Sequence, residues 1–361
     1  MTVKIVSMQR VNNHGSFLQG YALMKLLESE GAKVAFLDIK KGIDNSSFAT
    51  SCTKEYDENK KYKHILNRVF IRYCGKKQCR IFEAQRQKYL GVMPQRADDA
   101  KCDLAVIGSD EVFNCTIPSA WGLSDQLFGN IPGAEKVITY AASCGRTTES
   151  ALPNDAKELI TKSLQKLDKI SVRDQNTAEF VTRLLGTSAV EQHLDPVLIY
   201  DFKQEIRPCP FKKPFLLLYS YTYRFANPVE IAAIKRYAEE MKLEIVCAGV
   251  FQFWCRHNIP VSSFELLGYF QKADCIITDT FHGSIMSMIM HRPFISIVRG
   301  SNKNKLVDLL SRLNMERRIC NNIMQIAEVM EQPIDYCEFE SIRKREKRNT
   351  HKYLEKALAK G

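Results

Sequence analysis

The sequence predicts an α/β protein of two domains, each a parallel sheet covered by helices, on three observations. Short apolar runs alternate with helix-period segments through the first half of the chain. Pro208, Pro210 and Pro214 then fall within seven residues, which neither a helix nor a central strand tolerates. Beyond that break the same alternation begins again. At 361 residues the chain is long enough for two or three domains that each bury a core.

In order, strands are expected at 3–7, 34–37, 104–107, 137–140 and 170–172, with helices at about 17–29, 155–167 and 177–185. Gly31 and Gly186 stand where a helix would end in the left-handed conformation. After the break, 215–219, 244–248, 275–278 and 294–298 read as strands. Helices are expected at 228–241, 263–271, 284–290 and about 305–313. The expected organisation is therefore a first domain at 1–207, carrying a basic helical insertion at about 54–90, then a linker at 208–214. A second domain follows at 215–340, and a basic helix at 341–361 ends the chain. Open parallel sheets bind ligands beyond the carboxyl ends of their strands, so the site is sought there, in a cleft between the domains.

Lys and Arg number 52 against 41 Asp and Glu, a net charge of +11, with 45% hydrophobic and 26% charged residues. That composition excludes a disordered chain, a fibre and an integral membrane protein. No apolar run approaches the ~20 residues that cross a bilayer. The opening Met1-Thr2-Val3-Lys4-Ile5-Val6-Ser7 is too short for a signal peptide, so a cytoplasmic location is expected. The twelve cysteines contain no CxxC pair and no Cys/His cluster; reduced thiols and no metal are expected.

The positive charge is local. Residues 54–90 carry +7 and residues 341–361 carry +6, leaving −2 for the rest. In the first segment Tyr62, Ile65, Leu66, Val69, Phe70 and Tyr73 share one helical face, with Lys61, Lys63, Arg68 and Arg72 off it. This is either a helix packed on its own domain or one lying apolar side down on an anionic membrane. The run Arg343-Lys344-Arg345-Glu346-Lys347-Arg348 reads as a solvated terminal helix or as a contact for phosphates. Neither segment contains a recognised nucleic-acid-binding module, so no nucleic-acid partner is expected.

Chemistry-bearing residues cluster just after strands. Asn13, Gly15 and Ser16 open a helix whose first N–H groups could meet an anion or a sugar hydroxyl. Ser109 and Asp110 follow the third strand, where Asp110 is either a proton acceptor or a turn and helix cap. Cys144, among small residues, is either a nucleophile or a small buried hydrophobe. Arg173 ends the fifth strand as either an anion-binding fork or a partner in an ion pair. Thr278-Asp279-Thr280-Phe281-His282-Gly283-Ser284 carries His282 to a strand end, with Gly283 and Ser284 at a helix start that favours a phosphate. A buried structural histidine is the alternative for His282, while His14, His193, His257 and His291 read as structural.

Taken in order, the segments 13–23, 107–114, 140–145, 171–174, 195–198 and 278–287 resemble the polysaccharide pyruvyl transferase family. The resemblance implies two Rossmann-like domains facing a central cleft, similar to GT-B glycosyltransferases. It also implies transfer of pyruvate from phosphoenolpyruvate to a sugar of a capsular or exopolysaccharide unit, as a ketal, with release of phosphate. No cofactor beyond that donor is implied. The partner is a saccharide acceptor, with a lipid-linked acceptor and peripheral membrane contact as readings that the basic helix allows. On this reading His282 is the acid that protonates the donor, Asp110 the base for the sugar hydroxyl, and Arg173 with Gly283 and Ser284 the donor-anion site. Four positions depart from the family: Glu111 and Phe113 stand where Gln and Trp are frequent, Cys144 replaces an aromatic, and Thr280 stands where some members have Arg. The alternative activity is that of a nucleotide-sugar glycosyltransferase on the same fold.

Overall fold

The computed structural model describes residues 1–49, 65–95, 99–187, 189–222, 224–300 and 302–359. In chain order its elements are β1 (Thr2–Val6), α1 (His14–Ser29), β2 (Lys33–Phe36), α2 (Ile65–Gln85), β3 (Cys102–Asp110), β4 (Ala134–Ala142), α3 (Asn154–Leu164), β5 (Ser171–Val172), α4 (Gln175–Leu185), β6 (Glu191–Gln192) and α5 (Pro196–Ile199). There follow β7 (Phe215–Tyr219), α6 (Pro228–Glu240), β8 (Glu244–Ala248), β9 (His257–Ile259), α7 (Ser263–Lys272), β10 (Cys275–Thr278), α8 (Phe281–Ile289), β11 (Phe294–Ile297), α9 (Lys303–Arg312), β12 (Ile319–Cys320), α10 (Ile326–Glu331) and α11 (Tyr336–Leu358). They form two units: Met1–Ser51, Gln85–Tyr200 and Arg343–Gly361 in one, and Cys52–Ala84 and Asp201–Ile342 in the other.

Each unit holds one six-stranded sheet with every pairing parallel. The first sheet runs β2-β1-β3-β4-β5-β6 and the second β12-β11-β10-β7-β8-β9. Strands covered on both faces must be apolar almost throughout. Leu104–Ile107 of β3 and the whole of β7 are accordingly buried. The second order is that of a doubly wound dinucleotide fold and the first is flavodoxin-like. Strand order reverses between β1 and β3 in the first sheet, and between β7 and β10 in the second. In such sheets these reversal points leave a crevice at the carboxyl ends of the strands, where ligands bind.

The strand expectations hold for the long central strands. They miss β6, β9 and β12, pieces of two or three residues at or next to a sheet edge, too short to show periodicity. Helix α1 begins at His14 rather than 17, because Asn13 accepts the N–H of Gly15 (2.7 Å) and of Ser16 (3.3 Å) and so starts the helix early. Gly31 (φ +85°) and Gly186 (φ +66°) do terminate their helices in the left-handed region.

The domain boundaries differ more. The 208–214 segment is not a linker but part of the second unit, whose longer stretch begins at Asp201. Arg207 N–H bonds Phe264 O in α7 (3.1 Å), Lys272 bonds Phe211 O (2.6 Å), and the Phe211 ring meets those of Phe215 and His257. Helix α2, read as an insertion in the first domain, groups up to Ala84 with the second unit. Gln78 fixes it there by exchanging both backbone hydrogen bonds of Val261 (2.7 and 3.1 Å). Its buried face is Cys74, Gln78, Phe82 and Gln85, whereas Phe70 and Tyr73 of the predicted apolar face are exposed. Lys61, Tyr62 and Lys63 lie outside the described residues, as do the side chains of Ile65, Leu66, Arg68 and Val69.

The terminal helix is not merely solvated either. Thr350, Tyr353, Leu354 and Ala357 of α11 are buried in the first unit. Tyr353 Oη donates to Thr139 O (2.7 Å), Tyr140 Oη lies 3.0 Å from Thr350 Oγ1, and the Arg343 guanidinium bonds Leu198 O. A basic sequence with one apolar stripe has become a packed helix with a charged outer face. Among the described residues no helix is long and apolar enough to cross a membrane, and no group of three or more His, Cys, Asp or Glu could hold a metal ion.

Candidate functional site

In the first unit, β1 leads into the Asn13 cap and β3 into Asp110, the two loops of the reversal point. Ser16 Oγ donates to Asp110 Oδ2 at 2.6 Å, joining these loops directly. Asp110 Oδ1 accepts the N–H of Glu111 (2.8 Å). The residue is half-buried and holds φ +79°, a conformation that a side chain other than glycine adopts only under strain. Gly108, two residues before it, has no freedom to change, since a Cβ there would sit 2.3 Å from Tyr140 O. The outcome is one carboxylate, held by two hydrogen bonds, at the carboxyl end of a central strand.

Beneath it lies a buried polar layer. Arg173 is 4% exposed; its Nη1 bonds Asp195 Oδ2 at 3.0 Å and its Nε stands 3.9 Å from Asp174 Oδ2. Burial works against this charge, but Asp195 first, then Asp174, Asp110 and Glu111, outweigh it and raise the Arg173 pKa. Asp174 in turn accepts from Ser143 Oγ (2.6 Å) and from Thr177 N and Oγ1 (2.9 and 2.6 Å). Of its two sequence readings, Arg173 takes the ion pair. Ser109 belongs to the same layer: it is fully buried, with Oγ donating to Ala141 O and reaching Asp195 Oδ2. Asn13, Gly15 and Ser16 spend their predicted ligand-facing groups on the α1 cap and on Asp110. Cys144 is buried, and desolvation, followed by Asp174, pushes its thiol far above the usual range, so it is the small hydrophobe and not a nucleophile.

In the second unit, β7, β10 and β11 end side by side. Asp279, fully buried after β10, is the hub. Its Oδ2 accepts Arg299 Nε (2.9 Å) and pairs with Arg224 Nη1 (3.4 Å), and its carbonyl accepts Asn302 Nδ2 (2.6 Å). Arg299 also grips both oxygens of Glu230 (3.0 and 3.4 Å). The Arg224 guanidinium stacks over Tyr221 and that of Arg299 over Phe225. Asp279 Oδ1, also buried, has no hydrogen-bond partner among the described residues and remains an acceptor.

The next turn presents the histidine. Thr280 caps α8 by accepting Gly283 N–H (2.9 Å), and its own N–H is held by Thr278 Oγ1 (3.1 Å). Gly283 is required by space: a Cβ would meet Thr278 Oγ1 at 2.1 Å. Ser284 is buried with its hydroxyl 2.6 Å from Ser296 Oγ. The predicted Gly283 and Ser284 anion donors are thus internal to the fold, since a capped N–H and a paired hydroxyl cannot also serve a ligand. In this nine-residue helix His282 and Ile289 alone escape full burial, and His282 lies in the first turn, beside the strand end.

A family model described as polysaccharide pyruvyl transferase matches residues 13–301, spanning both reversal points and every motif above. The chain belongs to the polysaccharide pyruvyl transferase family. No curated protein sequence matches it. Among solved structures, a Listeria monocytogenes protein assigned as a UDP-N-acetylglucosamine 2-epimerase is similar at TM-score 0.51 and 10% identity, covering 94% of this chain and 90% of its own. The S. aureus MnaA–UDP complex is similar at TM-score 0.50 and 11% identity, covering 98% and 96%. At that identity the likeness is one of fold: the two-domain Rossmann-like architecture of the GT-B class.

As a member of this family the chain is an enzyme, a transferase of polysaccharide synthesis, and two features of its site escape sequence reading. Where some relatives place an arginine before the motif histidine, Thr280 is the helix cap, and the cations at this strand end are Arg224 and Arg299. Each follows a strand, β7 or β11, by two to five residues. The rule that ligands meet carboxyl ends would have marked both, but neither lies in a recognisable motif.

Proposed function

We propose that this enzyme transfers pyruvate from phosphoenolpyruvate to a saccharide of a capsular or exopolysaccharide unit, forming a ketal and releasing phosphate. The observation that carries the reading is that His282 follows β10 within four residues while Arg224 and Arg299, held by Asp279, follow the neighbouring strands β7 and β11, in a chain of this family. Phosphoenolpyruvate brings a carboxylate and a phosphate, and a guanidinium is the side chain suited to either. Arg224 is the donor-binding cation, and Arg299 positions Asp279 and Glu230 around it.

His282 gives a proton to the donor methylene carbon, which leaves positive charge on the adjacent carbon. A sugar hydroxyl adds there as its proton passes to a general base. Phosphate then leaves with the C–O bonding pair, and a second hydroxyl closes the ketal, its proton passing to the departing phosphate. The stated test is phosphate release from phosphoenolpyruvate, expected only when a saccharide acceptor is present. Phosphoenolpyruvate should also raise the melting temperature where nucleotide sugars do not. Stabilisation by a nucleotide sugar alone, with release of nucleoside diphosphate, would instead make the protein a glycosyltransferase.

We extend the reading to a lipid-linked acceptor met at an anionic membrane surface. Phe70 and Tyr73 are exposed on α2 (41% and 69%) beside the exposed Arg72, Lys76, Lys77 and Arg80. Aromatic rings among cations suit the interface of anionic lipid. Sedimentation with phosphatidylglycerol vesicles but not phosphatidylcholine vesicles is expected, weakened in Phe70→Ser/Tyr73→Ser. Equal sedimentation with both, or none, would remove the membrane contact.

A further inference from the structure

At the opposite end of the second sheet lies a buried cation with no counter-charge among the described residues. Arg318 immediately precedes β12, and Arg292 lies two residues before β11. Both strands are parallel to β10, so these arginines sit at the amino ends, away from His282. Arg318 is 1% exposed and is the largest fully buried side chain among the described residues. Its Nη2 donates to Gln332 O (2.9 Å), while its Nε and Nη1, both buried, have no hydrogen-bond partner among the described residues. The Arg292 Nε is buried and unpartnered as well.

Among the described residues no carboxylate pairs with either of them. Burial lowers the Arg318 pKa, the Tyr336 phenol works the other way, and a second guanidinium, Arg317, adds to the lowering. The Tyr336 phenol senses both Arg318 and Arg292, and its hydroxyl is committed as a donor to Arg292 O (2.6 Å). Nearby His291 and Asp335 are also spoken for: His291 pairs with Glu340 (2.9 Å), and Asp335 Oδ1 accepts Glu338 N–H at the start of α11. That helix start adds further positive potential. A guanidinium cannot shed its proton to escape burial, as a lysine can. Ordered water would satisfy its N–H groups yet leave the charge uncompensated.

We propose that Arg318 and Arg292 form a binding site for a small inorganic oxyanion, of the charge and donor demand of phosphate, separate from the donor site. The site needs an acceptor that carries negative charge, and an oxyanion supplies both at once. Bound only by the folded chain, the anion would stabilise the second unit by mass action.

The experiment compares thermal unfolding in phosphate, sulfate and chloride at matched ionic strength. Because phosphate could also occupy the proposed donor site, both variants are made in an Arg224→Met background. Arg224→Met protein should gain melting temperature saturably with phosphate and sulfate, beyond chloride, and Arg224→Met/Arg318→Met should lose that gain. The same gain in both, or no gain in either, overturns the site. Wild-type protein stabilised by phosphate but not by phosphoenolpyruvate would keep the site and count against the donor reading alone. Should Arg318→Met not fold, a bromide-soaked crystal of the wild type decides: bromide at Arg318 Nε or Nη1 supports the site, and its absence there overturns it.

Discussion

Arg173→Met is expected to lower the stability of the first unit by about 3–5 kcal/mol, the loss that follows when one partner of a buried ion pair is removed. Methionine replaces much of the volume, so the effect isolates charge from packing. Asp195 and Asp174, 1% and 4% exposed, would lose the guanidinium that neutralises them and keep the hydroxyl and backbone donors of Ser109, Val197 and Ser143. Urea unfolding read from the first unit's transition measures it, and Arg173→Met/Asp195→Asn should recover part of the loss. The surface-fork reading of Arg173 makes the opposite prediction: weak binding of the donor with stability almost unchanged. A loss under about 1 kcal/mol would therefore restore that reading.

The two readings could not be separated from the sequence because burial of a charged residue is decided by the layers around it. Ser171-Val172-Arg173-Asp174 looks the same whether its arginine points to solvent or under a neighbouring loop. Asp195, which settles the matter, is 22 residues away. The same limit explains the misplacement of α2. Its apolar positions at 70 and 73 suggested the buried face, but the face that packs carries Gln78, a polar residue buried because it satisfies both backbone groups of Val261. Periodicity counts apolar residues and cannot see a glutamine that replaces a strand partner.

What was legible follows from chemistry local to a few residues. The β7, β8, β10 and β11 runs are fully or largely buried, so their composition alone marks them. Thr278–Ser284 was legible as a strand end and helix start, and the structure adds that Thr280 is the cap, that the conspicuous Gly283 and Ser284 serve the cap and the core, and that His282 is half-buried. The cations that accompany it were not legible, because Arg224 and Arg299 are brought together by Asp279 across three adjacent strand ends. Sheet order, which no local pattern encodes, decides that meeting.

His282→Ala should reduce acceptor-dependent phosphate release about 10²–10⁴-fold, the range of a general acid, with the loss in kcat rather than in the donor KM. Stability should hardly change, for reasons internal to α8. The helix is started by Thr280 through Gly283 N–H and anchored by Ser284 and Ser287, none of which involves the imidazole. Alanine is also the better helix former. Arg224→Met should behave differently, raising the donor KM, because it weakens binding of an anion present in ground state and transition state alike. The contrast matters more than either number, since a general collapse of the strand end would move both parameters in both variants. His282→Ala turnover at the wild-type rate would take the imidazole out of the reaction and leave protonation of the donor to another group at the same strand ends.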